Sequence, residues 1–426
     1  MKVKNRPRPF FRMEGRYALH GTLSVQGSKN ASLPVLAATL LIEDTCTFTN
    51  CPDISDVQCM KALLCKVGCT IENQGHICTV NATQVSETWF PKSEMRRMRS
   101  SIILLGAMLS RKKEAQVYYP GGCLLGDRPI DLHLKALTKM GADIVQKNDM
   151  LHAECKELTG CEIRFPFPSV GATQNVILAA VMAKGKTTII NAAKEPEICV
   201  LCDFLKKAGA DIEGYGTEII QIQGVEKLHG VEFGIPSDRI VAGTYLFGVL
   251  GTGGRIVLEN APITHMALTL DVIGQMGGKI KCDRKKGRIE LIADCRPSNP
   301  ERIETASYPG FPTDLQSSLL TTACISKGRL ILKESIFNQR FRIVEELQRM
   351  GAQISLQDGI CVIDGVEELS GRNVIARELR GGAALVEAGL MAEGITTVFD
   401  IGFVERGYED IVRDYRKLGA KIEKGC

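Results

Sequence analysis

Apolar and polar positions along the chain repeat on two scales. On the shorter scale an apolar helix is followed by a Gly or charged turn, a β-branched strand, and a second helix. That helix closes in a Gly, a small residue and another strand. On the longer scale the closing signature recurs six times, as LCKVGCTI (64–71), LTKMGADI (137–144), LKKAGADI (205–212), IGQMGGKI (273–280), LQRMGAQI (347–354) and YRKLGAKI (415–422). The marker glycines Gly68, Gly141, Gly209, Gly277, Gly351 and Gly419 are separated by 73, 68, 68, 74 and 68 residues, and matching the two triplets gives offsets of 209, 210 and 210. This is the pattern of one unit tripled and the triple then doubled. Each marker Gly ends its helix because it takes a positive φ without steric cost.

In the third copy the pattern predicts a helix over 174–183, a strand over 187–190 and a helix over 197–208. In the sixth it predicts 383–392, 396–399 and 408–418. First helices such as NVILAAVMA and AALVEAGLMA are apolar nearly all round. A helix without a polar face is buried on every side, so these are expected to form the cores, with sheets outside them. The expected fold class is α/β, with two pseudo-threefold domains: 29–236 as one three-repeat domain, and 1–28 with 237–426 as the other. The chain then crosses near Ser28 and Pro236. Six ordinary α/β units in a layered sheet share the same periodicity.

Composition adds a boundary. A chain of 426 residues, 44% apolar and 24% charged, can bury two substantial cores. No apolar run approaches the roughly 18 residues of a membrane span, and the basic start MKVKNRPRPFFRMEGR lacks the apolar stretch of a signal peptide. A cytoplasmic protein without a membrane partner is expected. The 16 cysteines are scattered, and the only CxxC, Cys199 with Cys202, has no second pair to complete a metal site. They read as reduced, mostly buried thiols. A net charge of +4 and 5% aromatics argue against nucleic acid. Nothing in the sequence specifies an oligomeric state.

The charges gather at turns. Just before the first helix of five units stand Lys29 with Asn30, Arg99, Arg239 beside Asp238, Asp314, and Arg380; the third unit offers bare backbone, Ser169 to Thr173. Helix starts carry free N–H groups and the positive dipole end, an anion site that Lys or Arg reinforces. If each triplet is threefold, its helix starts converge. Two facing domains would then enclose a cleft suited to a multiply phosphorylated substrate. Pro312-Thr313-Asp314 is also the context of a helix N-cap. A second signal is the loop 119–129, where Cys123 lies among glycines with Arg128 five residues on. Positive potential there favours the thiolate, a nucleophile or proton donor.

Eight ordered motifs, QGSKNASLP (26–34), MRSSI (98–102), GGCLLGDRPIDLH (121–133), SVGAT (169–173), EPEI (195–198), PSDRI (236–240), FPTDLQ (311–316) and ELRGGAALVEAGLMAEG (378–394), resemble the UDP-N-acetylglucosamine 1-carboxyvinyltransferase family across essentially the whole chain. The resemblance implies a two-domain inside-out α/β barrel, each domain holding three βαβαββ-type repeats around buried helices, with the active site in the interdomain cleft. It implies transfer of the enolpyruvyl group of phosphoenolpyruvate to the 3-hydroxyl of the sugar nucleotide, without a metal or organic cofactor. Cys123 would donate the proton to C3 of phosphoenolpyruvate, and Asp314 would accept the hydroxyl proton. Lys29, Asn30, Arg128 and Arg380 would bind phosphoenolpyruvate. Arg99, Arg128, Pro129, Ile130, Asp131, Leu132, Val170, Gly171, Asp314 and Ile336 would bind the UDP-sugar.

Two positions depart from the family pattern, which commonly has Lys where this chain has Ser55 and Phe167. Arg164 and Lys61 are the cations nearest in sequence. Two further readings follow: transfer to another acceptor such as a uridine nucleotide, and a catalytically weakened regulatory paralogue. Retention of Cys123, Asp314 and the arginines argues against the second.

Overall fold

The computed structural model describes residues 8–121, 130–337 and 339–426. The chain divides into two compact units. The first holds 27–121 and 130–236, and the second 8–26 and 237–426, each with its own hydrophobic core.

Three short apolar helices form the centre of the first unit: α1 (Lys29–Ala38), α2 (Leu104–Lys112) and α3 (Val170–Ala180). From Ala31 to Ala38 in α1, and from Ala172 to Ala180 in α3, every residue is buried, Ser32, Thr173, Gln174 and Asn175 included. The surrounding strands alternate. Cys46 and Phe48 of Thr45–Thr49, and Cys78 and Val80 of Ile77–Asn81, face the helices, while their neighbours face outward. That period of two marks sheets wetted on one face only. The first sheet runs Glu232–Gly234, Thr45–Thr49, Ile77–Asn81, Thr70–Gln74, and the third Asp211–Glu213, Ile219–Gln223, Lys186–Ile190, Glu162–Arg164. The middle one has three strands, Glu114–Tyr118, Met150–Glu154 and Asp143–Lys147. Its fourth is reduced to a parallel touch at 88–90, where Phe90 N donates to Gln116 O (3.0 Å) and Gln116 N to Thr88 O (2.7 Å).

The second unit repeats the plan around α4 (Arg239–Thr252), α5 (Gln316–Ile325) and α6 (Leu379–Met391). Strand Leu19–Ser24 lies parallel to Gly254–Glu259, and strand Phe10–Glu14 enters the last sheet between Ile395–Phe399 and Lys421–Gly425. The fold is the mixed α/β arrangement of buried helices inside wrapped sheets. All six marker glycines have φ between 93° and 110°.

Three predicted boundaries are corrected. The third core helix begins at Val170, not 174, because Ser169 caps it. The sixth begins at Leu379, not 383: Glu378 caps it, and Gly381 and Gly382 lie inside the helix, where a Cβ on Gly382 would fall 2.8 Å from Val404 Cγ2. The helix expected over 408–418 is shorter, Ile411–Lys417: it starts only where Asp410 caps it, after a separate 3-10 segment, Ile401–Arg406.

One carboxyl is sealed inside this second core. Glu387 of α6 is fully buried and accepts from Ser318 Oγ on α5 (3.1 Å), while its Oε2 and the buried Tyr415 hydroxyl find no protein partner. Burial raises its pKa well above the ordinary 4.5. The folded state therefore holds a proton that the unfolded chain releases, and stability falls as pH rises above that ordinary value. A Glu387→Gln variant is expected to be more stable than the parent at pH 7. The gap should grow by about 1.4 kcal/mol per pH unit until the buried carboxyl ionises. Urea unfolding at pH 6, 7 and 8 checks this, and a gap that does not change with pH contradicts it.

Candidate active site

In the first unit Ser28 caps α1, its hydroxyl accepting from Ala31 N (3.3 Å), and Lys29 is the first helical residue. Lys29 Nζ lies 2.7 Å from Asp56 Oδ2, with the two side chains 11% and 5% exposed. Asn30 beside it is half-buried. Arg99, also half-buried, opens the 3-10 turn Arg99–Ile103 that leads into α2 and packs on both α1 and α3. Asp131 and Leu132 start the helix Asp131–Lys139, with Ile130 buried before it. Val170 and Gly171 start α3. The Ser169 hydroxyl accepts from Ala172 N (3.4 Å), so this helix start is capped, not bare as the sequence suggests.

One buried side chain ties these starts together. Asn175 Nδ2 donates to His133 Nδ1 (3.0 Å) and to Ile102 O (3.2 Å), while its Oδ1 accepts from Gly106 N (2.7 Å). With Nδ1 accepting, the imidazole proton sits on Nε2. The ring lies over Gly171, where a Cβ would come within 3.1 Å of His133 Cε1. Burial, then Arg99, push the His133 pKa down to about 3, so the ring is neutral at physiological pH. Arg99, residues 130–132 and residues 170–171 thus meet at one end of the core helices, with Lys29 on the helix alongside. Cys123, Arg128 and Pro129 lie outside the described residues.

The second unit brings its own helix starts together around a carboxylate. Asp314 lies in the 3-10 turn Thr313–Leu315 before α5. It is not a cap, because both oxygens are taken by arginines. Arg340 Nη2 donates to Oδ1 (2.7 Å), and Arg380 donates to Oδ2 from Nε (3.3 Å) and Nη2 (3.1 Å). The arginine side chains are 2% and 4% exposed, Asp314 26%. Burial opposes the charge on Arg380, but Asp314, Tyr408 and Asp238 outweigh it and hold its pKa above the usual arginine value. Each nitrogen of the Arg380 guanidinium is engaged, Nη1 with the Tyr408 hydroxyl at 3.5 Å, so this residue is placed first as the partner of Asp314. Ile336, 37% exposed, donates its amide to Glu334 Oε1 (2.7 Å), whose Oε2 accepts from Thr313 Oγ1 (3.0 Å). Glu334 therefore fixes the Ile336 turn against that of Asp314.

The two units differ in how their helix starts are neutralised. Neutral hydroxyls cap α1 and α3, but in the second unit Asp238 accepts from Ile240 N (2.8 Å) and Val241 N (3.2 Å), and Glu378 accepts from Arg380 N (2.8 Å) and Gly381 N. A carboxylate at a helix N-terminus already satisfies the dipole. The first unit therefore keeps the anion-receptive ends.

Sequence reading missed Arg340, Asp56, Glu334 and the His133–Asn175 pair. Arg340 stands in an RFR triplet with no spacing that ties it to Asp314. Ser55 opens the helix Ser55–Lys66, and the Phe167 side chain is exposed. Neither nearby cation stands in for a lysine: Lys61 is buried and donates to Asn73 Oδ1 (2.6 Å), and Arg164 is exposed beside Glu162 (3.6 Å). Among the described residues no cluster of three or more His, Cys, Asp or Glu forms a metal-binding group, and no helix is long and apolar enough to cross a membrane.

The family model for EPSP synthase (3-phosphoshikimate 1-carboxyvinyltransferase) matches residues 13–415, which defines the class as 1-carboxyvinyl, or enolpyruvyl, transferases. Solved structures share the fold: the enolpyruvyl transferase NikO from Streptomyces tendae (TM-score 0.89, 23% identity, 98% of this chain and 99% of that one) and EPSP synthase from Acinetobacter baumannii (0.77, 20%, 98% and 100%). Two relatives are much nearer in sequence, UDP-N-acetylglucosamine 1-carboxyvinyltransferase 2 of Caldanaerobacter subterraneus subsp. tengcongensis, 43% identical, and enzyme 1 of that name from Carboxydothermus hydrogenoformans, 41% identical. Each covers 97% of this chain and 98% of its own. The chain belongs to the UDP-N-acetylglucosamine 1-carboxyvinyltransferase family, and it is a transferase.

The neutral His133 has a measurable consequence. Its folded pKa lies below the ordinary 6.5, so the unfolded chain binds the proton first and stability is lost as pH falls from about 6.5 toward 3. Relative to His133→Gln, which keeps an acceptor for Asn175, the parent should lose about 2 kcal/mol more between pH 7 and pH 5. Urea midpoints at the two pH values decide this, and equal losses contradict it.

Proposed function

We propose that this chain transfers the enolpyruvyl group of phosphoenolpyruvate to the 3-hydroxyl of UDP-N-acetylglucosamine and releases phosphate. This is the first committed step of peptidoglycan precursor synthesis, carried out in the cytoplasm and serving cell-wall biogenesis. The observation that carries the reading is the Asp314 carboxylate, gripped by Arg340 and Arg380 at a core-helix start and still partly exposed. An oriented carboxylate with solvent access is a base for a hydroxyl proton.

The steps balance as addition and elimination. Asp314 takes the proton of the sugar hydroxyl as its oxygen bonds to C2 of phosphoenolpyruvate, and Cys123 protonates C3. The tetrahedral ketal then returns a C3 proton to the Cys123 thiolate and expels phosphate, which carries off the proton held by Asp314, and the double bond is restored. The anions fall to Lys29, Asn30, Arg99 and Arg128, with the amides of Val170 and Gly171. Neutral caps leave the α1 and α3 dipoles available to stabilise the charge-dense intermediate. Pro129, Ile130, Asp131, Leu132 and Ile336 hold the nucleotide. Arg380 contributes mainly by holding Asp314.

Three outcomes test this reading. Asp314→Asn should keep the fold and acceptor binding while turnover drops by roughly 10²-fold or more in a coupled phosphate-release assay. Release only with a different uridine nucleotide would move the acceptor assignment. Restoring a cation by Phe167→Lys should lower the KM for the diphosphate acceptor by about threefold or more, and an unchanged KM would separate that position from the acceptor. In limited labelling with iodoacetamide or the epoxide fosfomycin, read by mass spectrometry, Cys123 should react first. Its accessible competitors among the described residues are Cys65, Cys282, Cys295 and Cys426, and burial raises the pKa of the first two. Label on these four with Cys123 untouched would remove it from the chemistry.

A further inference from the structure

Arg380 is backed by a hydrogen-bond chain whose direction is fixed. Thr244 Oγ1 lies 2.9 Å from Ile240 O and 2.8 Å from the Tyr408 hydroxyl. A carbonyl only accepts, so the single Thr244 proton goes to Ile240. Tyr408 must then donate to Thr244, and its oxygen lone pairs are left facing Arg380 Nη1 at 3.5 Å. The tyrosine ring also lies beside the guanidinium, 5.8 Å from its Cζ to the ring centroid. Burial pushes the Tyr408 pKa up to about 12, against the pull of Arg380, so the hydroxyl keeps its proton throughout the working pH range.

A second device holds Tyr408. Gln26 brackets it: the amide Nε2 donates to Gly407 O (3.1 Å) and Oε1 accepts from Glu409 N (3.0 Å). The Gln26 carbonyl in turn accepts from Asp238 N (2.9 Å), at the cap of α4. Gly407 leaves room for the guanidinium, since a Cβ there would lie 3.5 Å from Arg380 Nη1 and 2.9 Å from Leu379 Cδ1. Gln26 is the last residue of the second unit before the chain passes into the first. The charged and titratable groups around the Asp314–Arg380 pair are Arg340, Asp238 at the cap of α4, Glu378 at the cap of α6, Glu334 on Thr313 of the Asp314 turn, and Tyr408, with Glu387 acting on Tyr408 from the core side.

We infer that Gln26 and Tyr408 are positioning residues for the reaction: the amide bracket fixes the 407–409 turn, the turn fixes Arg380, and Arg380 fixes the Asp314 carboxylate. The inference rests on Asp314 acting as the base. It concerns residues that act through Arg380, and it links the geometry of the base to the segment after strand Leu19–Ser24 that carries the chain into the first unit.

The test uses Tyr408→Phe, which keeps the ring and removes the hydroxyl, and Gln26→Met, which keeps length and removes both amide bonds. Circular dichroism and urea midpoints confirm that each folds. For Tyr408→Phe, kcat should fall about tenfold with KM for both substrates within about twofold. The acidic limb of the kcat/KM profile should move measurably to higher pH, because a loosened Arg380 favours ionised Asp314 less. Gln26→Met should shift the limb in the same direction. Adding Tyr408→Phe to Asp314→Asn should cost no further turnover. An unmoved limb with normal kcat in both variants, or an undiminished effect in the Asp314→Asn background, would overturn the inference. A cycle of Tyr408→Phe with Arg380→Lys on urea stability should give coupling of about threefold or more in the folding constant, and additivity would count against it. That measurement needs no activity. A parent chain that releases no phosphate with any acceptor would therefore defeat the functional reading, while the cycle still decides whether Tyr408 holds Arg380.

Discussion

Helices with no polar face have to be covered on every side, and nearly everything else in each unit follows from that constraint. Three such helices bundled together leave their sides to the sheets and only their ends to polar chemistry. Half of those ends are N-termini carrying unpaired amides, which must be met by caps, by side chains or by ligands. The residues with chemistry to offer therefore appear in the first turns of core helices. Lys29, Arg99, Asp314 and Arg380 stand at equivalent points of a repeat whose remaining positions are largely apolar.

The division of labour between the two units is electrostatic. A hydroxyl cap satisfies hydrogen bonds but leaves the dipole, whereas a carboxylate cap satisfies both. Asp238 and Glu378 make the second unit's helix ends self-contained, so its arginines are free to act on a side-chain carboxylate. Ser28 and Ser169 leave the first unit's ends receptive to an anion. The same repeat thus carries neutral hydroxyl caps in one unit and carboxylate caps in the other.

Local chemistry was legible in the sequence. The six glycines, the apolar helices and the charged turns announced themselves because each is written within ten or so residues, and the family followed from eight such stretches. What was hidden depends on distance along the chain. Arg340 reaches Asp314 across 26 residues, and Asn175 reaches Gly106 across 69. No periodicity links either pair. The start of α6 is hidden for the same reason: Gly382 sits inside the helix where a Cβ would meet Val404, 22 residues on. Asp314 also stands in the context of a cap, and the arginines that occupy both its oxygens set that reading aside.

The strand Phe10–Glu14, seated between Ile395–Phe399 and Lys421–Gly425, also governs the order in which the protein can be made. A nascent chain has every strand of the first unit in hand once residue 236 has emerged. The second unit began earlier, yet its last sheet lacks a central strand's partners until the final residues are synthesised. Its N-terminal segment must wait, unpaired, through the synthesis of almost the whole polypeptide. Pairings that distant close slowly and expose unpaired edges meanwhile. The half that carries Asp314 is therefore the last to take shape, and the first unit can be complete while the second still lacks the partners of its first strand.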